Sequence, residues 1–205
     1  MKRLALIIAM VACFVANGQE FSREGRWQGE FATGLTTFGN YPAMSLFQDP
    51  TDKYSNCIGF QYTLGYYFDN SWLLGLTVNS TSGKTSQLSL EESFDLYSVL
   101  LDIRNYYGLT ERITLESGVA VGLLVGNNRY VHLDEVTKAA RYGARGCVSL
   151  GLNYQVTPST HVGLQLNLPD ISAFFTEVDV PAGLVPTKHA LGVGYSLMLT
   201  LGGCF

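Results

Sequence analysis

The last eleven residues of the chain restrict its fold more than any other segment. Tyr195, Leu197, Leu199, Leu201 and Phe205 occupy alternate positions, and mainly small or weakly polar residues lie between them. Because successive side chains of a strand point to opposite faces, this segment predicts a β-strand with one apolar face. An unprotected strand of this kind promotes aggregation in a soluble domain, whereas a barrel closed in a membrane has no free edge. We therefore predict a barrel whose apolar face is turned to lipid.

The first eighteen residues predict an export signal. Two basic residues precede an apolar run over residues 4–15, and a small-x-small cleavage sequence ends at Gly18. This layout is typical of a secretory signal peptide over residues 1–18, followed by a barrel domain over residues 19–205. The signal holds two of the 13 basic residues and no acidic one, so 11 basic and 17 acidic residues remain, a formal charge of −6. That balance argues against nucleic acid as a partner, because nucleic-acid binding needs a basic stripe.

Alternation like that of the last segment recurs seven times upstream, beginning near Arg26. It predicts an all-β fold, an eight-stranded antiparallel up-and-down transmembrane β-barrel. The connections after strands two, four and six are turns of about three to five residues rich in Asp, Asn, Gly, Pro and Ser, and the other connections are roughly a dozen to twenty residues long. Outer-membrane barrels have short periplasmic turns and long outer loops, so we expect both ends of the chain in the periplasm.

Two other classes of protein fit the sequence less well. A helical membrane protein is excluded, because no apolar run long enough for a spanning helix follows the signal peptide. A soluble barrel of the lipocalin type would turn the weakly polar face outward, and alternation alone does not say which face is inside. That face is rich in Gly, Ser, Thr and Gln and has few Lys or Glu residues, so it suits a narrow lumen better than a solvent-exposed surface.

Aromatic residues concentrate at the short-turn ends of the predicted strands. They are Trp27, Tyr66, Phe68, Trp72, Tyr107 and Tyr154. Aromatic residues also have high strand propensity, but their bias to one end favours a girdle at the periplasmic membrane boundary.

Polar residues of the other face predict what fills the lumen. If Tyr106 lies opposite Thr114, Arg104 faces Glu116 directly across the hairpin of strands four and five, with Glu30 or Asp102 nearby. A buried charge must be paired or hydrated, so this cluster is either a polar plug that rigidifies the barrel or an ionic gate or proton path. The plug is the preferred interpretation. The remaining candidate fillers are Gln28, Gln61, Asn153, His161, Gln165 and Asn167.

No pattern in the sequence predicts catalysis, a metal site or a cofactor. The three cysteines after the signal, Cys57, Cys147 and Cys204, are an odd number without metal-binding spacing, so we interpret them as small packing residues. Neither His161 nor His189 is followed two residues later by a serine, as a lipid-facing catalytic pair on one strand would require. Recognition is expected in the long loops instead, where residues 127–129 and 138–141 carry enough positive charge to contact lipopolysaccharide phosphates. The apolar fourth loop is expected to cover the barrel mouth.

These features together resemble the family of small outer-membrane β-barrel proteins, of the OmpX and OmpA membrane-domain type, with a porin-like barrel. The resemblance implies a bacterial outer-membrane location and a monomer in contact with outer-membrane lipids and lipopolysaccharide. It also implies that periplasmic chaperones and the barrel-assembly machinery recognise the final strand, from Tyr195 to Phe205, as an insertion signal. The implied function is a non-enzymatic role in envelope integrity or surface interaction through the outer loops. The alternatives are a narrow OmpW-like conduit for small or hydrophobic molecules and, more remotely, a lipid-modifying enzyme.

Overall fold

A computed structural model describes residues 22–38, 57–87, 90–132, 135–175 and 191–205. The eight strands are β1 (Trp27–Phe38), β2 (Cys57–Tyr67), β3 (Trp72–Gln87), β4 (Leu90–Gly108), β5 (Ile113–His132), β6 (Glu135–Thr157), β7 (Thr160–Phe174) and β8 (Leu191–Cys204). Each strand pairs antiparallel with its neighbour in sequence, and β1 pairs with β8 to close the ring. The predicted eight-stranded antiparallel barrel is confirmed. Within the described residues no helix is long and apolar enough to cross a membrane.

The two faces of the wall follow the alternation in the sequence. In β2 and β8 almost every second residue is buried and the residues between are exposed. The exposed positions carry the large apolar side chains, such as Leu76, Val121 and Leu199, each more than half exposed. Most of the buried positions carry small or polar side chains, so this barrel has an apolar outside and a largely polar inside. That inverted arrangement is stable only where the outside faces lipid.

The predicted lengths of the second and third long connections are wrong. Only residues 88–89 separate β3 from β4, and only residues 133–134 separate β5 from β6. The pairing of these four strands continues far past the rest of the wall, up to Gln87 opposite Leu90 and His132 opposite Glu135. The sequence suggested loops because the outward residues become polar here, which removes the apolar contrast between the two faces although the strands continue.

We call residues 81–96 and 126–141 the extension. It begins just beyond one row of paired residues that crosses β3 to β6. In that row Ser80 lies opposite Tyr97, Tyr97 lies opposite Val125, and Val125 lies opposite Tyr142. The predicted first loop and most of the fourth lie outside the described residues. The described part of the fourth is residues 169–175, of which residues 169–174 belong to β7, and Phe174 is buried inside the barrel.

The opposite end of the barrel, which we call the short-turn end, is held by tight turns. Asp69 accepts hydrogen bonds from the backbone N–H groups of Ser71 and Trp72 at 2.6 and 2.7 Å. The N-terminal residues 22–25 cross this end, where the backbone N–H of Arg23 donates to Asn70 Oδ1 at 2.9 Å. Gly25 has a φ of 75° in this segment, a conformation that glycine adopts without strain.

Candidate functional site in the barrel lumen

The polar residues of the inner face converge in the lumen near the short-turn end. All ten predicted fillers are buried, with exposures between 0% and 6%. They come from different strands because the closed sheet brings inward positions of similar height together. This buried polar layer is the most chemically distinctive part of the described structure.

Arg104 lies at the centre of the layer, where we define the Arg104 cluster as Glu30, Asp102, Arg104 and Glu116. The Arg104 Nη1 atom lies 2.5 Å from Glu30 Oε1 and 3.0 Å from Glu116 Oε1. Its Nε and Nη2 atoms lie 2.9 and 2.8 Å from Asp102 Oδ2. One guanidinium therefore bridges three carboxylates that come from three different strands.

Each carboxylate of the Arg104 cluster also has a second partner. His161 Nε2 lies 3.0 Å from Glu30 Oε2, Asn153 Nδ2 donates to Glu116 Oε2 at 2.9 Å, and Thr77 Oγ1 donates to Asp102 Oδ2 at 2.7 Å. Arg104 Nη2 further donates to Thr63 Oγ1 at 2.9 Å. Buried charges are tolerated when their hydrogen-bonding groups are satisfied in this way. The cluster nevertheless holds three acidic groups against one guanidinium, with His161 as the remaining basic group.

The predicted register between β4 and β5 is wrong by two residues. Tyr106 lies opposite Glu116, and Arg104 lies opposite Gly118. The turn determines this register, because the backbone N–H groups of Leu109 and Thr110 both donate to Ile113 O. Arg104 consequently reaches Glu116 diagonally, over the space that Gly118 leaves open.

A second layer closes the lumen below the Arg104 cluster, at the short-turn end. Tyr67 Oη donates to Gln28 Oε1 at 2.5 Å, and Gln28 Nε2 donates to Tyr106 Oη at 3.0 Å. The guanidinium of Arg23 lies over both tyrosine rings, 5.7 Å from the Tyr67 centroid and 5.3 Å from the Tyr106 centroid. With Leu73 and Cys204 these rings form a small buried core. The N-terminal segment thus covers this end of the lumen.

A third layer fills the lumen near the extension. Arg145 pairs with Asp170 through two hydrogen bonds, at 2.8 Å from Nε and 2.5 Å from Nη2. The Arg141 guanidinium lies 4.1 Å from the centroid of the Phe174 ring. Apolar side chains that are at most 1% exposed pack in the same region: Phe94, Leu96, Leu100 and Leu124. This end of the lumen is therefore occupied by a bidentate ion pair and by apolar side chains.

The structure places the other predicted site residues on the outer wall. The six aromatic residues assigned to the girdle are 40% to 66% exposed and lie at the short-turn end: Trp27, Tyr66, Phe68, Trp72, Tyr107 and Tyr154. The proposed insertion strand is β8 itself, with Tyr195, Leu197, Leu199, Leu201 and Phe205 all outward. Phe205 closes the seam with β1, because its N–H donates to Trp27 O at 2.9 Å and its carbonyl accepts from Trp27 N at 3.1 Å.

Three residues of the lumen, Arg23, Arg145 and Asp170, and several of its pairings were not predicted from the sequence. The pairing of His161 with Glu30 and of Arg145 with Asp170 joins residues far apart in sequence, and the position of Arg23 depends on how the N-terminal segment crosses the barrel. For Arg145, the signal available in the sequence was its inward position in the alternation of β6. The three cysteines of the described residues are free thiols. Cys57 and Cys204 are buried, and Cys147 is partly buried.

The chemistry available to this lumen is that of a filled, hydrogen-bonded interior. In the described ranges no group of three or more His, Cys, Asp and Glu side chains is arranged to hold a metal ion. The acidic groups are instead gathered around Arg104, and His161 is engaged by Glu30. The arrangement can rigidify the barrel and can obstruct the passage of solutes along its axis.

Solved structures share this fold. Ail, the attachment invasion locus protein of Yersinia pestis, matches with a TM-score of 0.52 and 17% identity over 89% of this chain and 99% of Ail. Neisserial surface protein A matches with a TM-score of 0.56 and 13% identity over 89% of this chain and 100% of that protein. The outer membrane protein AlkL matches with a TM-score of 0.50 and 15% identity over 93% and 94% of the two chains.

No protein-family model and no curated protein sequence matches the chain. At identities this low the solved structures establish the fold alone. The likeness to small outer-membrane β-barrel proteins that the sequence predicted is therefore confirmed, and this chain has the architecture of an eight-stranded transmembrane barrel of that class.

Proposed function

We propose that the chain is a non-enzymatic integral barrel of the bacterial outer membrane, with its short-turn end in the periplasm and its extension outside the cell. The height of the apolar wall supports this placement. On β5, ten residues separate Leu115, opposite Tyr107, from Val125, opposite Tyr97. At about 3.4 Å per residue and a tilt of about 40°, they span roughly 25 Å, the height of the apolar band of outer-membrane barrels.

The filled lumen is the observation that carries the rest of the proposal. The Arg104 cluster, the tyrosine layer below it and the Arg145–Asp170 layer above it occupy successive levels of the interior. A barrel of eight strands has room for little more than its own inward side chains. We therefore interpret the Arg104 cluster as a structural plug, and we assign the biological role to the surface outside the membrane.

Conductance in a planar bilayer tests the plug. The wild type is expected to show no steady conductance, and Glu116→Ala is expected to show none either, because Arg104 keeps Glu30 and Asp102 as partners. Arg112→Ala, at an exposed turn, is the control for nonspecific effects of removing a charged side chain. Discrete openings that change with Glu116→Ala would overturn the plug and make the cluster a gate.

The extension is where we place contact with the surroundings of the cell. Its strands continue to pair beyond the membrane band, so it presents a rigid sheet and not a flexible loop in the part that is described. A shortened variant can be built without a change of register, because Ser82 lies opposite Asp95 and donates to its Oδ1 at 2.6 Å. A two-residue Asn-Gly turn between these two residues would replace residues 83–94, and the same turn between Asn127 and Ala140, which also lie opposite each other, would replace residues 128–139.

The shortened variant separates the two versions of the proposed role. If the extension mediates surface contact, cells producing the variant retain wild-type levels of barrel in the outer membrane but lose adhesion to surfaces or to other cells. If the barrel serves envelope integrity, adhesion is unaffected, and only complete deletion of the protein makes cells permeable to large antibiotics. A variant that behaves as the wild type in both assays would contradict the surface role.

A narrow conduit is the second candidate, and one observation favours it. Leu96, Leu100 and Leu124 place apolar side chains on the inner wall near the extension, where a hydrophobic molecule would enter. All three are at most 1% exposed, so passage would require them to move apart. Uptake of a hydrophobic solute into vesicles that contain the wild type, abolished by Leu100→Arg, would favour this candidate over the plug.

A further inference from the structure

We infer that the outer wall of β5, β6 and β7 holds an acylated, phosphate-bearing lipid of the outer leaflet, with an acyl chain in a groove of the wall and its phosphates on Arg129 and Lys138. The inference rests on the proposed membrane placement and does not depend on whether the lumen is closed.

The groove has a volume of about 360 Å³ and is lined almost entirely by apolar atoms. Small residues create it. Ala144, Gly146 and Ala173 lie side by side on β6 and β7, whereas most positions of the outer wall carry large side chains. Val121 and Ile171 flank them, opposite Gly146 on either side. Such a volume is within the range of small-molecule sites.

Irregular pairing deepens the groove. The register shifts between Cys147 and Ser149 on β6 and between Asn167 and Asp170 on β7, and Pro169 lines the resulting notch. Because Val121 lies near the middle of the ten-residue span between the two aromatic levels, the groove lies within the apolar band. The molecules that contact this level of the wall are the acyl chains of lipids.

Two cations stand above the groove on the same two strands. Arg129 of β5 lies directly opposite Lys138 of β6, and both are exposed. They lie four residues beyond Val125 and Tyr142, which is about 10 Å above the aromatic level at 3.4 Å per residue and the usual tilt. Long basic side chains reach down toward the interface while their stems lie along the wall. A phosphate at the membrane surface is therefore within their range.

The two features fit one molecule in length. Four residues, about 10 Å at 3.4 Å per residue and the same tilt, separate Val121 in the groove from Val125 at the aromatic level, and one acyl chain, which spans half of a hydrocarbon core of about 30 Å, covers that distance. The residue opposite Arg129 on β4 is Ser93, so no acidic side chain lies directly beside the Arg129–Lys138 pair in that row. Glu91 of β4 is paired with Lys84 at 2.6 Å and also interacts electrostatically with Arg129, so it balances part of the positive charge of the extension and Lys138 is the cation farther from it. Charge and shape thus select a lipid with both an acyl chain and phosphate.

The wall has a second groove, and it supplies an internal comparison. It lies near the short-turn end between β6, β7 and β8 and is lined by Leu152, Val162 and Leu199. Tyr154 also lines it, and Arg112 donates a hydrogen bond to Tyr154 Oη at 3.3 Å. A lipid held there would depend on Arg112, whereas a lipid held at the first groove would depend on Arg129 and Lys138.

Native mass spectrometry of the full chain, refolded in detergent, measures the binding. The probes are diphosphorylated hexa-acylated lipid A and the same lipid without phosphates. The variant Arg129→Gln/Lys138→Gln is expected to weaken binding of the phosphorylated lipid about thirtyfold at low salt, because each basic residue near a charged lipid surface contributes about fivefold. Binding of the lipid without phosphates is expected to stay unchanged.

Blocking the groove has a different signature. A Cβ added at Gly146 would meet Ala120 O no closer than 3.6 Å, so Gly146→Leu fills the groove without strain. It is expected to weaken binding of both lipids about tenfold, because it removes contact with the acyl chain. Gly29→Leu, also outward and with room for a Cβ, is the matched control on the far side of the barrel and is expected to bind as the wild type does.

The outcomes separate this inference from the proposed function. Heat-modifiable migration on gels and insertion into vesicles are checked first, and a wild type that does not insert contradicts the membrane placement itself. If the variants insert and bind both lipids with wild-type affinity, the membrane placement stands and the lipid site is wrong. If Arg112→Gln alone weakens binding, the second groove is the site, which also overturns the inference.

Discussion

Removal of the Arg104 guanidinium gives the sharpest test of how the lumen is held together. In Arg104→Leu, Glu30, Asp102 and Glu116 lose the cation that they share and stay at 1% to 2% exposure. Breaking a buried ion pair by removing one partner costs about 3–5 kcal/mol. Each carboxylate keeps one neighbour, namely His161, Thr77 or Asn153, which offsets part of the lost solvation. We expect a loss of about 4 kcal/mol in the free energy of unfolding, a large fraction of a typical total of about 5–15 kcal/mol.

Removing a negative charge from the Arg104 cluster, instead of its positive charge, is expected to change the free energy of unfolding only slightly. Glu116→Gln removes one of three acidic groups around a single guanidinium and keeps an oxygen for Arg104 Nη1, so the expected change is within about 1 kcal/mol. Because Glu116 is one of the three carboxylates that lose their shared cation in Arg104→Leu, the double variant Arg104→Leu/Glu116→Gln is expected to be more stable than Arg104→Leu alone. The two substitutions are therefore non-additive, as for residues of one network.

Urea unfolding of the barrel in phospholipid vesicles measures these differences. The fluorescence of Trp27 and Trp72 reports on the transition, since both lie on the outer wall at the short-turn end. Arg112→Leu, which removes an exposed guanidinium, is the matched control and is expected to change stability by at most about 0.5 kcal/mol. If Arg104→Leu is as stable as this control, the cluster is hydrated and the plug does not hold the barrel together.

Three further predictions concern the seam, the packing of the wall and the extension. Deletion of Phe205 removes both backbone hydrogen bonds to Trp27, so we expect little assembled barrel in the outer membrane, and wild-type levels would contradict its role as an insertion signal. Gly122→Ala is expected to reduce refolding yield sharply, because a Cβ there would lie 2.1 Å from Val99 O, whereas Gly146→Ala, whose Cβ would approach no atom closer than 3.6 Å, should refold normally. A hydrogen bond from the Lys84 ammonium lowers the pKa of Glu91, so an NMR titration should show that carboxyl ionising at lower pH in the wild type than in Lys84→Met. Since the folded-state pKa is the lower one, this pair stabilises the extension above the unfolded-state pKa and stops doing so as the pH falls through the folded-state pKa.

Alternation in the sequence determined which side of each strand faces inward. The inward parity of Glu30, Asp102, Arg104 and Glu116 was readable from the chain, because side-chain direction in a strand is a local property with a period of two. The outward apolar face of the last strand predicted the membrane barrel for the same reason. The two long hairpins were not predicted, because their outward residues beyond the apolar band are polar, and the alternation that marks a strand disappears although the hydrogen bonding continues.

Tertiary structure alone decided which inward residues meet. The turn at Leu109–Ile113 set the register that places Arg104 opposite Gly118, and closure of β1 on β8 brought Glu30 to Arg104 and His161. Arg145 meets Asp170 diagonally across β6 and β7, because Arg145 lies opposite Ser172 and Cys147 lies opposite Asp170. Local sequence fixes the direction of a side chain, but its height in the lumen depends on the stagger of all eight strands, which is a property of the closed sheet.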